Sequence, residues 1–148
     1  MVPWYVLDTD VMVAALRSDQ GASRQLWLAA LEEEFKLLLS VPLILEYEAV
    51  LMRQQHLDAC GLGAREVGRI LDDLTAIAKP VRLAFRWRPQ LVDPDDEMVL
   101  ETAINGSADA IVTFNRRHFT VGLRSFDCDV ISPAAALHRI ETLPDLAT

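Results

Sequence analysis

The segment VLDTDVMV, residues 6–13, places two carboxylates directly after a short apolar run. Residues 4–7 predict a buried strand that ends at Asp8, and apolar residues at helical spacing follow through Leu16. More acids stand where other strands should end or helices begin: Glu46 and Glu48 in SVPLILEYEAVL, and Asp93, Asp95 and Asp96 in VDPDDEMVLE. Carboxylates repel one another, so a fold that gathers them needs a cation, and Mg²⁺ prefers oxygen ligands. The sequence therefore predicts a metal site.

Helices and strands alternate along the rest of the chain. The apolar spacing predicts helices over 22–34, 40–54, 64–78, 93–105 and 133–140, and strands over 36–39, 81–83, 110–113 and 129–131. Residues 56–63, HLDACGLG, are expected to form a connector, and Pro80 is expected to stop the helix before it. The predicted strands are short and apolar throughout, which is typical of parallel strands buried on both faces.

This order predicts an α/β fold, a three-layer α/β/α sandwich with a mostly parallel sheet of about five strands. In such folds the ligand site lies beyond the carboxyl ends of the strands, where Asp8 and Thr113 fall. The length of 148 residues fits a single domain over 1–148, with about 141–148 as a frayed tail.

The composition, 51% hydrophobic and 24% charged, is that of a globular protein. No apolar run approaches the ~20 residues of a membrane-spanning helix, and MVPWYVLDTD lacks the features of a secretory signal, so we expect a cytoplasmic protein. Cys60 and Cys128 have no Cys or His nearby at metal spacing. They are expected to be reduced packing residues and not a disulfide or zinc ligands.

The net charge of −8 argues against broad, nonspecific binding of nucleic acids. It does not exclude local binding, because bound divalent ions would cancel part of the negative charge. The basic residues concentrate in two places, Arg82, Arg86 and Arg88, and then Arg116 and Arg117. Each group has two interpretations, a solvated surface or a contact to RNA.

The acids also have a purely structural interpretation. Asp93, Asp95 and Asp96 could stabilise a helix N-terminus through capping and the helix dipole. Glu46 and Glu48 fit that interpretation poorly, because both have mainly apolar neighbours three and four residues away. Spacing alone does not choose between the two glutamates.

Four segments together resemble the PIN domains, specifically the VapC-type ribonuclease toxins of toxin–antitoxin systems. They are LDTDVMVAAL, SVPLILEYEAVL, DPDDEMVLETA and AIVTFNRRHF, in that order, and VISPAAAL resembles the closing strand and helix. The resemblance implies Asp8, Glu46 and Asp96 as metal-site acids and Thr113 and Asn115 as polar site residues. It also implies Mg²⁺ or Mn²⁺ as cofactor, hydrolysis of RNA by metal-activated water, a cognate antitoxin and a homodimer. Arg116 and Arg117 then become candidate RNA contacts.

The chain departs from the family pattern at two positions. Asp10 stands where the family usually has asparagine, which adds a candidate ligand. His118 stands where many members have an aspartate, so the fourth carboxylate is in question, and Asp93 or Asp95 could compensate. A domain that has lost catalysis and binds a partner protein is therefore the main alternative.

A second enzymatic alternative is a haloacid-dehalogenase-type phosphatase. Asp8-Thr9-Asp10 resembles the DxD motif of those enzymes, and Lys79 would take a later role. Met12 and the proline after Lys79 fit that pattern poorly.

Overall fold

The computed structural model describes residues 2–84, 94–120, 122–123 and 126–142, and of residues 94–96 it describes the backbone. The strands are β1 (Trp4–Leu7), β2 (Lys36–Leu39), β3 (Lys79–Pro80), β4 (Ala110–Val112) and β5 (Asp129–Ile131). The helices are α1 (Thr9–Arg17), α2 (Ala22–Leu31), α3 (Val41–Leu51), α4 (Gln54–Cys60), α5 (Ala64–Ile77), α6 (Pro94–Gly106), α7 (Arg117–Thr120) and α8 (Pro133–Glu141).

The five strands form one sheet in the order β3-β2-β1-β4-β5, and all four pairings are parallel. Tyr5, Val6 and Leu7 of the central strand are each fully buried. Successive side chains of a strand point to opposite faces, so both faces of the sheet are covered. The predicted α/β sandwich with a parallel sheet of five strands is confirmed.

Local capping explains where several helices begin. Ser40 caps α3 by accepting a hydrogen bond from the backbone N–H of Leu43, with Pro42 in the first turn. Ser132 caps α8 in the same way, through the N–H of Ala135. Both helices start close to the predicted positions because serine followed by proline suits only this end of a helix.

Three predicted boundaries are wrong. Residues 56–63 do not form a connector throughout, because α4 extends to Cys60 and Gly61 ends it with a positive φ of 73°. Helix α2 stops at Leu31 and not at 34, since Glu33 has a positive φ of 56°. The expected strand at 81–83 lies two residues earlier as β3, where Pro80 is tolerated because β3 is an edge strand.

The predictions for the C-terminal end and for the two cysteines can also be compared with the structure. Glu141, placed in the frayed tail, still belongs to α8, and residues 143–148 lie outside the described part of the chain. Cys60 and Cys128 are free, half-buried thiols, as predicted. No helix in the described ranges is long and apolar enough to cross a membrane.

Helix α6 connects β3 to β4 and packs against β1, β2 and β4. Since β4 is parallel to the other strands, the chain must return along α6 to the amino edge of the sheet before β4 begins. The first turn of α6, which contains Asp96, therefore lies toward the carboxyl edge. A Cβ at Gly106, the last residue of α6, would come within 2.9 Å of Val81, so glycine permits this close contact.

Candidate functional site

Asp8 is the first residue after the central strand, and the structure fixes both of its carboxylate oxygens. Its backbone N–H continues the sheet by donating to the carbonyl of Val112 at 2.9 Å. Its Oδ1 caps α1 by accepting from the N–H of Thr9 at 2.8 Å, and its Oδ2 accepts from the hydroxyl of Thr113 at 2.7 Å. The residue is only 7% exposed. Asp8 thus joins the ends of β1 and β4.

Asp10, in the first turn of α1, contacts the segment that follows β4. Its Oδ2 accepts from the side-chain amide of Asn115 at 2.9 Å and from the N–H of Phe114 at 3.2 Å. Asn115 is held in turn, because its N–H donates to the Thr113 hydroxyl at 2.9 Å. The structure therefore brings together Asp8, Asp10, Thr113 and Asn115, four of the predicted site residues.

The two carboxyl groups are close enough to disturb each other's titration. Burial, followed by the negative charge of Asp8, raises the pKa of Asp10 to about 7. Burial also raises the pKa of Asp8, although hydrogen bonds from Thr113 and Thr9 oppose that rise. The two carboxyl groups titrate as a pair, and a proton shared between them stabilises it.

The carboxyl groups of Asp8 and Asp10 are suited to binding a cation. As a carboxylate, Asp10 has a buried Oδ1 that accepts no hydrogen bond from any residue in the described ranges. Among the same residues, neither Asp8 nor Asp10 forms an ion pair with lysine or arginine. A buried carboxylate next to a half-buried one, without such a partner, costs free energy unless a proton or a metal ion neutralises part of the charge.

Within the described ranges, no three His, Cys, Asp or Glu side chains are grouped to hold a metal ion. The structure describes the remaining predicted ligands only in part. Glu46 is half-buried on α3, whereas Glu48 is exposed, which favours Glu46 of the two. Asp96 lies in the first turn of α6, and its side chain, like Asp93, is outside what the structure describes.

Tyr47 is a site-supporting residue that the sequence did not single out. It is fully buried on α3, and its hydroxyl donates a hydrogen bond to the carbonyl of Leu7, the residue before Asp8. Burial and the charges of Asp8 and Asp10 raise its pKa well above its ordinary value. Tyr47 therefore stays neutral and ties α3 to the end of β1.

A second support links α3 to α6. The Thr102 hydroxyl donates to the carbonyl of Met98 at 2.7 Å, so the Ser40 hydroxyl, 2.6 Å away, must donate to Thr102. Ser40 keeps a lone pair for the N–H of Leu43. This chain of hydrogen bonds is buried and sets the spacing of the helices that carry Glu46 and Asp96.

Glu101 on α6 is another buried carboxylate that was missed, with 4% of its surface exposed. Met98 and Ile104 lie three residues on either side of it. Its neighbours four residues away, Glu97 and Asn105, are polar, so the rule that singled out Glu46, an acid with apolar helical neighbours, does not find Glu101.

The basic residues that the sequence analysis named lie in two separate parts of the chain, and only one of these parts is next to the site. Arg116, Arg117 and His118 are exposed directly after Asn115, and the charge of His118 lowers the pKa of Asp8, which places His118 in electrostatic range of the site. Arg82 is exposed, and Arg86 and Arg88 lie outside the described part of the chain. Lys79, needed by the phosphatase alternative, is exposed on β3 and is separated from β1 by β2.

Comparisons with known proteins agree with this architecture. The family model described as PIN domain matches residues 5–117. A chain in the crystal structure of VapBC2 from Rickettsia felis bound to a DNA fragment from their promoter superimposes with a TM-score of 0.56. The similarity covers 87% of this chain and 98% of that chain at 14% identity, so it concerns the fold. No curated protein matches the sequence. The family match includes both ends of the site, from β1 to Asn115, and the chain belongs to the PIN domain family.

Proposed function

We propose that this protein is a metal-dependent endoribonuclease that acts as the toxin of a toxin–antitoxin pair in the cytoplasm. The observation that carries the proposal is the pair of the buried Asp8 and the half-buried Asp10, whose buried Oδ1 atom lacks a hydrogen-bond donor among the described residues. Membership of the PIN family supports a nuclease. The fold shared with a chain of a VapBC2 structure supports an antitoxin partner.

Mg²⁺ or Mn²⁺ is the cofactor that this donor set fits, because all the candidate ligands are carboxylate oxygens. Asp8 and Asp10 would hold the ion together with Glu46 and Asp96, and Asp93 is a further candidate. When bound, the ion would lower the pKa of an attacking water and stabilise the charge on the leaving oxygen of the RNA backbone.

The protein's own groups orient the carboxylates and the substrate. Thr113 holds Oδ2 of Asp8, and the side-chain amide of Asn115 holds Oδ2 of Asp10, so neither carboxylate has to reorganise during the reaction. Arg116 and Arg117 are exposed beside Asn115, where their guanidinium groups can contact phosphates of RNA.

The proposed partners follow from the same surface. An acidic site that accepts a cation can equally accept a basic side chain, so an antitoxin segment that places one against Asp8 and Asp10 would block the metal site. We propose a homodimer as the assembly of the toxin, as in the VapC-type resemblance.

The test is cleavage of a mixed RNA pool with Mg²⁺, with Mn²⁺ and with EDTA. We expect metal-dependent cleavage that Asp8→Asn abolishes. Asp58→Asn is the matched control, since Asp58 is an exposed acid on α4 that bonds only to Gln54 in the described structure. Circular dichroism verifies that each variant is folded. A folded wild-type protein that cleaves nothing with either metal would refute the nuclease and favour the partner-binding alternative.

A further inference from the structure

A groove lies at the amino edge of the sheet, where β1, β4 and β5 begin. It consists of two adjoining cavities of about 790 Å³ and about 310 Å³, which share Ser107, Asp109 and Asp127 in their walls. Because these strands are parallel, Asp8 lies at the other edge, about 13 Å further along the four residues of β1. The groove is therefore separate from the candidate metal site.

Both ends of the groove are apolar. Trp4, which is 38% exposed, lines the larger cavity together with Val2 and Pro3. Ile104 and Phe126, both half-buried, line the smaller one. Apolar surface on two sides of a polar centre is typical of a surface that binds a partner, because covering it removes apolar area from water.

The middle of the groove carries negative charge that the described residues do not compensate. Asp109, Asp127 and Asp129 line the larger cavity, and Arg139 is the one basic residue among the described residues of its wall. The guanidinium group of Arg139 lies 3.0 Å from the carboxylate of Asp129 and is paired with it. Oδ2 of Asp109 accepts from the N–H of Trp4 at 2.7 Å, and within the described ranges no hydrogen bond or ion pair engages the carboxylate of Asp127. Two carboxylates therefore line the groove without a cation from this part of the chain.

The thiol of Cys128, in the wall of the smaller cavity, is subject to the same negative potential. Burial, followed by the charges of Asp129, Asp109 and Asp127, raises the pKa of Cys128 to about 12. A negative potential over a groove with apolar ends is complementary to cationic side chains that stand between apolar ones. A second copy of this chain is a poor occupant, because each copy has a net charge of −8.

We propose that this groove binds a basic segment of a partner protein, with arginine or lysine side chains against Asp109 and Asp127 and apolar side chains in the two ends. A guanidinium group next to Asp109 can also stack on the indole ring of Trp4. The proposal adds an interaction surface to the protein and does not depend on the proposed nuclease activity. A partner bound here would leave Asp8 and Asp10, at the opposite edge of the sheet, accessible.

The test adds the peptide GLRSRLG to the ¹⁵N-labelled protein in Mg²⁺ and follows the amide signals by NMR. The control peptides are GLESELG, in which the charges are reversed, and GSRSRSG, which lacks the apolar side chains. The protein variants are Asp127→Asn, Trp4→Leu and Asp109→Asn, whose amide oxygen can still accept from the N–H of Trp4. Asp72→Asn is the matched control, because Asp72 is an exposed acid on α5 that does not line the groove. The dispersion of the amide signals verifies that each variant is folded.

We expect GLRSRLG, at concentrations up to about 1 mM, to shift the amide signals of residues 107–109 and 126–129 and not those of 8–10 and 113–115. Asp109→Asn, Asp127→Asn and Trp4→Leu should each weaken binding by about 2- to 5-fold, since each removes one exposed ion pair or cation–π contact. Asp72→Asn should bind as the wild type does, and both control peptides should bind more weakly than GLRSRLG.

Several outcomes would overturn the proposal. They are the absence of any shift at about 1 mM peptide, equal binding of the control peptides, and shifts confined to residues 8–10 and 113–115. If deletion of residues 143–148 shifts the groove signals without peptide, the groove belongs to the chain's own end. Groove signals that depend on protein concentration would assign it to a second copy. Cleavage of RNA by the same samples is a separate measurement, so the nuclease can stand where this proposal fails.

Discussion

Replacing Asp10 by asparagine should stabilise the metal-free protein at pH 8 and remove much of its pH dependence. Burial and the charge of Asp8 raise the pKa of Asp10 from 3.8 to about 7 in the folded protein. Between those pH values the folded state binds more protons than the unfolded state. The free energy of unfolding must therefore fall as the pH rises from about 4 to about 7, and Asp10 destabilises the fold fully only above that range.

The size of this effect follows from the shift in pKa. At 1.36 kcal/mol for each pH unit, a rise from 3.8 to about 7 sets a ceiling of about 4 kcal/mol. Asp10 is only half-buried, so solvent reduces the effect, and we expect about 2 kcal/mol. An amide oxygen at position 10 can still accept hydrogen bonds from Phe114 and Asn115, so the substitution removes the charge and keeps these contacts.

Urea unfolding followed by far-UV circular dichroism, in EDTA at pH 5 and pH 8, measures this difference. Part of the loss has already occurred below pH 5, so the wild type should lose about 1.3 kcal/mol of stability between the two values, and Asp10→Asn should lose much less. Burial, with the charges of Arg17 and Arg53, lowers the pKa of His56, which makes stability rise with pH in both proteins. Because His56 is present in both proteins, its contribution cancels when the pH dependence of Asp10→Asn is compared with that of the wild type. Parallel pH profiles for the two proteins would refute the reasoning.

Three further predictions concern the same region. Tyr47→Phe should lower the free energy of unfolding by about 1–2 kcal/mol in urea, because the Leu7 carbonyl loses a buried donor, and no change would contradict the role of the hydroxyl. Thr102→Val should lower the free energy of unfolding by about 1–3 kcal/mol, because the Ser40 hydroxyl then has no acceptor, whereas Thr102→Ser should keep the wild-type stability. Equal losses in the two variants would contradict the hydrogen bond from Ser40 to Thr102. Mg²⁺ at 100 times its Kd should stabilise the wild type at pH 8 by about 2.7 kcal/mol in the same assay, and an equal gain in Asp8→Asn would place the ion elsewhere.

Much of the fold could be predicted because local signals and tertiary structure agree. The apolar run before Asp8 indicates a strand, and Ser40 with Pro42 indicates the start of a helix. The parallel sheet then brings Asp8 and Thr113 to the same edge. The missed helix α4 shows the limit. Gly61 and Gly63 suggest a loop, but Gly61 is the cap that ends a helix whose single buried residue, Leu57, gives almost no apolar periodicity.

The site was less predictable than the fold, because its hydrogen bonds join residues that lie far apart in the sequence. The contact of Asp10 with Asn115 depends on the register of β1 against β4, which apolar spacing does not determine. Tyr47 reads as an ordinary core residue on the apolar side of α3, and only the tertiary structure shows that its hydroxyl reaches Leu7. Apolar spacing left Glu46 and Glu48 open, the family resemblance implied Glu46, and the lower exposure of Glu46 favours the same residue.

The partner of Asp8 in its buried hydrogen bond, Thr113, lies 105 positions later in the chain. During synthesis on the ribosome, Asp8 leaves the exit tunnel long before β4 exists, and the central strand then lacks one of its two neighbours. A nascent chain cannot complete this site until Asn115 has emerged as well. The order of the strands thus delays any activity of the site until most of the protein has been made.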